Sequence, residues 1–161
     1  PYEAVRIAIL IRAGLQKSTP EGSEIKWDAR LALGLGSVNF SQEESVTESD
    51  GEAFRNSGWE FDELGKRKLA IRTPWQNMND ELKVSTAFAD DIVSEWSVAQ
   101  AQAIYASLIH SKTQKEIAAD LNTSPQTISK RIIAGKEYLI RPYLDRCKQI
   151  ITAKIQTDGI K

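Results

Sequence analysis

Residues 113–132 read TQKEIAADLNTSPQTISKRI, and this stretch contains the start and stop signals of two short helices. Thr113 and the glutamate three residues later have the spacing of a capping box, which satisfies the first free backbone amides of a helix. Asn122 stands at the turn, where asparagine tolerates a left-handed backbone better than most residues do. Ser124 and Pro125 fit the N-cap and the first position of a second helix. The stretch therefore predicts a helix, a turn of about three residues and another helix.

The apolar residues of this stretch are spaced to pack the two helices against each other. Ala118 is small enough to allow a close crossing, and Leu121, Ile128 and Ile132 fill the angle between the helices. At ~100° per residue, the opposite face of the second helix carries polar side chains and cations, and no acid. Such side chains suit base edges and phosphates in a major groove. We predict DNA contacts from Thr113, Ser124, Gln126, Thr127, Ser129, Lys130, Arg131 and Lys136.

This stretch resembles the helix-turn-helix of sigma-factor C-terminal domains and related response regulators, in which T-x-x-E-I-A-x-x-L-x-x-S-x-x-T-I-S-x-R is a familiar form. Glycine usually occupies the turn where Asn122 stands. Together with residues 4–13, 30–38, 49–54 and 69–74, the stretch is similar to the SatD family of small bacterial proteins. The resemblance implies organisation and DNA binding more than a reaction. It also implies a further strand and helix before Pro1, so that we expect an incomplete N-terminal portion.

Charge is distributed unevenly along the 161 residues, although the net charge is only −1. Residues 1–95 carry 11 basic and 17 acidic side chains, a net charge of −6. Residues 96–161 carry 10 and 5, a net charge of +5. This asymmetry favours contact between the C-terminal third and a polyanion. We therefore predict double-stranded DNA as the partner of this region.

The N-terminal residues alternate between helical and strand periodicity. Residues 3–16 predict a largely buried helix, and residues 24–40 predict a strand with one core-facing side. Residues 41–50 are polar and predict a loop, after which Ser49 and Glu52 fit a capping box. A helix at 51–64, anchored by three apolar side chains, and a strand at 66–73 complete this part. The three anchors are Phe54, Phe61 and Leu64.

These patterns predict an α+β fold, in which a ferredoxin-like or cyclase-like α/β portion at residues 1–76 precedes an all-α helix-turn-helix unit at 96–161. Residues 77–95 are expected to connect them, because Val84, Phe88 and Ile92 give an amphipathic helix over 79–95. Ser97 and Gln100 predict another capping box, and Trp96 a hydrophobic staple on the helix that follows.

Other functions receive weaker support from the sequence. Gly34 and Gly36 form only G-x-G, which favours close packing over dinucleotide binding. An alternative is a nucleotide- or metal-dependent enzyme of cyclase-like fold, because four charged residues near strand ends could bind such a ligand. They are Asp28, Asp50, Glu52 and Arg72. A protein-interaction module is a further alternative. The N-terminal part is expected to sense a ligand, whose identity is open, or to form a homodimer.

Chemical groups for catalysis and metal binding are scarce in this chain. The chain has a single cysteine, Cys147, which therefore has no partner within the chain for a disulfide. With a single histidine, His110, the chain also lacks the residues for a Cys/His zinc site, and no supporting motif points to a catalytic triad. We expect Cys147 to be a small core residue and His110 to favour a helix C-terminus. We predict no catalytic residue, cofactor or metal site. The longest apolar run, Ile7 to Ile11, is far too short for a membrane span, and the expected location is the bacterial cytoplasm.

Overall fold

The computed structural model describes residues 2–42, 45–110 and 112–158, and within these ranges it is mostly helical with two small sheets, an α+β arrangement. The elements in chain order are α1 (Ala4–Lys17), β1 (Leu31–Gly34), β2 (Val38–Gln42), β3 (Ser45–Gly51), α2 (Glu52–Asp62), β4 (Leu69–Arg72), α3 (Gln76–Ser94), α4 (Val98–His110), α5 (Gln114–Asp120), α6 (Pro125–Ala134) and α7 (Glu137–Asp158).

The chain divides into two compact units, and each unit is assembled from segments that are distant in sequence. One unit, called the sheet unit below, comprises Pro1–Val5, Arg30–Asp90 and Tyr143–Lys161. The other, called the helical unit, comprises Arg6–Ala29 and Asp91–Pro142. The predicted boundaries at residues 76 and 95 follow composition along the chain, whereas these units follow packing in space.

In the sheet unit, β1 and β4 pair in parallel, with Leu31 opposite Leu69 and Gly34 opposite Arg72. The expected strand at 24–40 is only partly correct, because regular pairing begins at Leu31. Ile25 and Trp27 precede it and are exposed, so the apolar alternation that suggested a longer strand does not face a core.

The predicted loop at 41–50 is wrong for residues 41–42 and 45–50, because β2 and β3 pair there in an antiparallel arrangement, while residues 43 and 44 lie outside the described residues. Pairing is irregular, with register shifts on either side of Phe40. Backbone hydrogen bonds form such a ladder without requiring apolar alternation, so residues 41–50 carried no pattern from which to predict it.

Helix α2 packs directly on β1, and two glycines permit this contact. A Cβ atom on Gly34 would lie 2.0 Å from the carbonyl oxygen of Ala53 and 2.4 Å from the amide nitrogen of Ser57. One on Gly36 would lie 2.9 Å from the amide nitrogen of Ala53. Backbone atoms of α2 therefore occupy the space beside Gly34 and Gly36, as the close-packing interpretation predicted.

The start and the anchors of α2 differ from expectation. Its N-cap is Gly51, without a side-chain cap, so the predicted capping box between Ser49 and Glu52 is wrong. Among the expected anchors, Leu64 is buried but Phe61 is exposed, with the guanidinium of Arg30 over its ring at 5.4 Å. The stacked cation gives this exposed aromatic side chain a partner on the surface in place of a core contact.

Helix α3 buries a different face from the one its apolar residues suggested. Val84 and Phe88 are 58% and 70% exposed, while the polar residues Thr86 and Asp90 are buried. The hydroxyl groups of Thr86 and Tyr143 are 2.9 Å apart, and the carboxylate of Asp90 accepts a hydrogen bond from the Lys68 amide. Polar residues occupy the interior because they have partners there, which shifts the buried face away from the apolar stripe.

Helix α1 is less buried than predicted, because one side of it is exposed. Ile7, Ile11 and Leu15 lie on that side, four residues apart. The buried side includes Arg12, whose guanidinium makes two hydrogen bonds of 2.9 Å with the carboxylate of Asp28. A fully buried arginine is tolerated because a bidentate carboxylate neutralises it. Arg12 therefore belongs to the interior of the helical unit despite its charge.

Candidate nucleic-acid interface

The segment that contains α5 and α6 has its own small apolar core within the helical unit. Buried side chains from α4, α5 and α6 form it, and they are Ala103, Ile117, Ala118 and Ile128. Ala106, Leu121 and Ile132 pack around this cluster. Small alanines let the helices approach closely, and the isoleucines fill the space between them, as the spacing predicted. The packing fixes which face of α6 is directed away from the core.

Both ends of α5 are determined by residues identified in the sequence. Thr113 Oγ1 accepts a hydrogen bond from the Glu116 amide, and Glu116 Oε2 accepts one from the Thr113 amide at 2.7 Å. Hydrogen bonding to the Thr113 amide lowers the pKa of Glu116 below its ordinary value. Asn122 has a φ of 47°, the left-handed conformation expected of it. The predicted capping box and turn residue are confirmed.

The start of α6 is also as predicted. Ser124 is the N-cap and its hydroxyl accepts a hydrogen bond of 3.1 Å from the Thr127 amide. Pro125 occupies the first helical position, where it removes no intrahelical hydrogen bond. The Ser124 and Thr127 hydroxyls are 2.9 Å apart. The first turn of α6 therefore has a defined geometry, with both hydroxyl groups on one end of the helix.

The end of α6 is fixed by a contact that sequence patterns did not reveal. The buried Trp96 indole donates a hydrogen bond of 2.7 Å from Nε1 to the carbonyl oxygen of Gly135. A Cβ atom on Gly135 would lie 2.4 Å from Ile104 Cδ1, so only glycine fits there without rearrangement. Trp96 was expected only to pack as a staple. Its indole N–H instead anchors the point at which α6 ends, and the separation of 39 residues hid this from sequence patterns.

A polar network holds the start of α7 in the same unit. The Ser107 hydroxyl donates to the Glu137 carboxylate at 2.7 Å, and the Arg141 guanidinium lies 2.7 Å from both groups. Glu137 is buried, and its carboxylate is neutralised by the adjacent cation. Together with Trp96, this network positions the segments that flank α6 on its C-terminal side. The predicted capping box of α4 is present too, between Ser97 and Gln100.

The residues predicted to contact DNA fall into two groups by exposure. Thr127, Ser129 and Arg131 are partly buried on the flanks of α6. The others are exposed, and they are Thr113, Ser124, Gln126, Lys130 and Lys136. Gln126 and Lys130 are neighbours four residues apart on the face opposite Ile128. Lys136 lies just after α6 with a φ of 56°, so its position outside the helix separates it from that face.

Ile133 also belongs to the exposed face of α6, and it was not among the predicted site residues. Its side chain is 62% exposed. At ~100° per residue it is rotated ~140° from Ile128, which places it beside Gln126. The helical spacing that places Gln126 on this face also places Ile133 there, so the sequence carries the signal for this residue as well.

Positive charge is concentrated around α5 and α6. The helical unit as a whole carries ten basic and eight acidic side chains, but residues 112–141 carry six and three. Two of those three acids have partners already described, in the Thr113 cap and the Ser107 network. The third, Asp120, pairs with Lys112 at 2.6 Å. Within the described residues, no ion pair involves the remaining cations of α5, α6 and the turn after it, which are Lys115, Lys130, Arg131 and Lys136.

The charged residues considered for an enzyme site have structural partners. Asp28 binds Arg12, and Glu52 Oε2 accepts a hydrogen bond of 3.4 Å from the Ser37 amide. Arg72 lies 3.5 Å from Glu63 and 5.5 Å from the Trp59 ring centre. The side chains of Asp50 and His110 lie outside the described residues. Across the described ranges, no three His, Cys, Asp or Glu side chains are grouped as metal ligands would be.

Cys147 is a buried residue of α7, as expected. Burial raises the pKa of its thiol to about 11, which leaves little reactive thiolate near neutral pH. No helix within the described ranges has the length and apolar character that crossing a membrane requires.

Comparison with known proteins adds no identification. No family model, no curated protein and no solved structure matches the chain.

Proposed function

We propose that α5 and α6 form a helix-turn-helix that binds double-stranded DNA, with α6 as the recognition helix in the major groove. The observation that carries the proposal is the exposed face of α6, which presents Gln126 and Lys130 and no acidic side chain. A small core and caps at both ends hold that face in a defined orientation. We propose further that the protein is a bacterial transcriptional regulator of the SatD type.

Each exposed group suits a particular part of duplex DNA. The Gln126 amide can make a bidentate contact to an adenine edge, and Lys130 can reach guanine acceptors or a phosphate. Thr127, Ser129 and Arg131 on the flanks of α6 suit the two phosphate backbones that border the groove. Outside α6, Ser124 and Lys136 are expected to bind phosphates without reading sequence. Thr113 is not retained as a phosphate contact, because its amide and hydroxyl both donate to the Glu116 carboxylate.

The sheet unit is proposed to sense a ligand or to form a homodimer. In a dimer, two copies of α6 would contact successive turns of the duplex, as two-fold symmetric helix-turn-helix proteins do. The enzyme alternative is not favoured, because α2 occupies the space beside Gly34 and Gly36 that a phosphate would need.

The test is selection of bound fragments from random duplex DNA by the full chain. Enrichment of a common motif supports the proposal. Absence of enrichment, together with absence of salt-dependent binding, rejects it in favour of a protein-interaction role.

Two variants then separate base reading from phosphate binding on the selected duplex. Gln126→Ala is expected to cost about 1–3 kcal/mol on the selected duplex and little on random DNA. Lys136→Ala is the matched comparison, because it lies outside α6 and is expected to weaken binding to both duplexes alike. Both side chains are exposed, so neither change should alter thermal unfolding. Equal binding by wild type and Gln126→Ala would show that either the helical phase assigned to α6 or its choice as the recognition helix is wrong.

A further inference from the structure

Ile133 is an exposed apolar residue on the otherwise polar face of α6. The other two isoleucines before it, Ile128 and Ile132, belong to the core shared with α4 and α5, whereas Ile133 is 62% exposed. Isolated apolar residues are common on protein surfaces. Ile133 differs from such a residue through its position, because it continues the stripe of the two side chains proposed to enter the groove.

Gln126, Lys130 and Ile133 have the spacing i, i+4 and i+7, which places them along one line of the helix surface. In this order they offer an amide, a cation and a branched apolar side chain to the same groove. The major groove contains one apolar group, the C5-methyl of thymine. Contact between an isoleucine side chain and that methyl group lowers the free energy of binding, because both surfaces leave water. Isoleucine has no donor or acceptor that could form a hydrogen bond with another base.

We infer that Ile133 reads a thymine in the DNA site by contact with its C5-methyl group. The inference rests on the proposed function and deepens it, since it specifies one base of the target. Seven residues of α-helix span about 10 Å, and successive base pairs are about 3.4 Å apart. With α6 lying along the groove, the thymine falls about three base pairs from the base that Gln126 contacts.

The end of α6 has the rigidity that a methyl contact requires. Ile133 stands two residues before Gly135, whose carbonyl oxygen is held by Trp96 at 2.7 Å. Gly135 is itself buried, and a Cβ atom there would meet Ile104 Cδ1, so this end of the helix packs closely against the core. The isoleucine side chain is therefore presented on a fixed part of the helix, where a contact of a few ångströms can distinguish thymine from uracil.

The experiment replaces single thymines by deoxyuridine, which lacks only the methyl group, in the duplex selected by the full chain. Dissociation constants are measured for wild type, for Ile133→Ala and for Leu139→Ala. Leu139 is the matched control, because it is an exposed apolar residue of the same unit but lies on α7. Thermal unfolding of the three proteins verifies that each is folded.

For wild type and Leu139→Ala, we expect one thymine whose replacement weakens binding by about fourfold, as removal of one buried methyl group implies. For Ile133→Ala, the same replacement should leave binding unchanged. Equal loss in wild type and Ile133→Ala would overturn the inference while leaving DNA binding intact. Salt-dependent binding without any selected motif would overturn it as well, since no base would then be read. Absence of any duplex binding would instead reject the proposed function on which it rests.

Discussion

The segment at residues 113–134 and the strands at residues 31–72 differ in the sequence range of the contacts that hold them together. In the former, capping, turn and core residues are neighbours in sequence, and the structure places them as their spacing indicates. In the latter, β1 pairs with β4 across more than thirty residues and α2 packs back on the strand. Local chemistry determines the first region, while contacts distant in sequence determine the second.

Replacing Ile128 by asparagine is expected to have the largest effect, on the region that local chemistry determines. The side chain is fully buried, so the variant leaves a cavity and an amide without hydrogen-bond partners. We expect a loss of about 4 kcal/mol in the free energy of unfolding, measured by denaturant titration. Ile133→Asn is the control, because the same substitution at an exposed site of α6 should change stability by less than about 0.5 kcal/mol. Equal losses of stability in the two variants would show that the face of α6 assigned to the core is wrong.

Alanine at Gly34 tests the long-range packing of the sheet unit. The added methyl group would meet backbone atoms of α2, including the Ala53 oxygen at 2.0 Å, so the helix must move away from β1. We expect a loss of about 3 kcal/mol in thermal or denaturant unfolding. Gly58→Ala provides a matched control in α2, where no atom lies within 4 Å of the new Cβ and a gain of about 0.5–1 kcal/mol is expected. A neutral Gly34→Ala would contradict the described packing of α2 on β1.

The two glycine positions also show what sequence can and cannot provide. The pattern of Gly34 and Gly36 indicated that something approaches the strand closely, but not that α2 does. Similarly, the spacing of Val84 and Phe88 predicted a helix correctly and its buried face wrongly. Partners of Thr86 and Asp90 decide that face, and those partners lie elsewhere in the chain. In the candidate site, helix ends and the exposed polar face were predictable, whereas the Trp96 anchor was not.

Trp96→Phe examines that anchor, a long-range contact inside the locally determined region. The phenylalanine keeps most of the packing but leaves the Gly135 carbonyl without its indole donor. We expect a loss of about 2 kcal/mol in the free energy of unfolding. Trp59→Phe serves for comparison, because Trp59 is 54% exposed. This substitution should lower the free energy of unfolding by less than about 0.5 kcal/mol. If both variants lose the same stability, the indole hydrogen bond does not anchor α6.

The smallest effect concerns the α5 cap and its pH dependence. The folded pKa of Glu116 lies below its ordinary value of 4.5, because the Thr113 amide and hydroxyl donate to the carboxylate. A lowered pKa contributes stability above the unfolded value, and this contribution is lost as the pH falls through the folded value. Between about pH 6 and about pH 3, the free energy of unfolding should therefore decline less steeply in Glu116→Gln than in wild type. Parallel declines would show that the cap does not form in solution.

Binding of duplex DNA by the full chain at increasing salt concentration tests the central claim most directly. Fluorescence anisotropy with a labelled random duplex gives the affinity at each concentration. Cations around α6 should displace condensed counterions, so log affinity is predicted to fall linearly with log salt concentration. Lys130→Ala should reduce the magnitude of the slope by about one. A flat response, or no binding even at low salt, would contradict the assignment of α6 as a DNA-recognition helix.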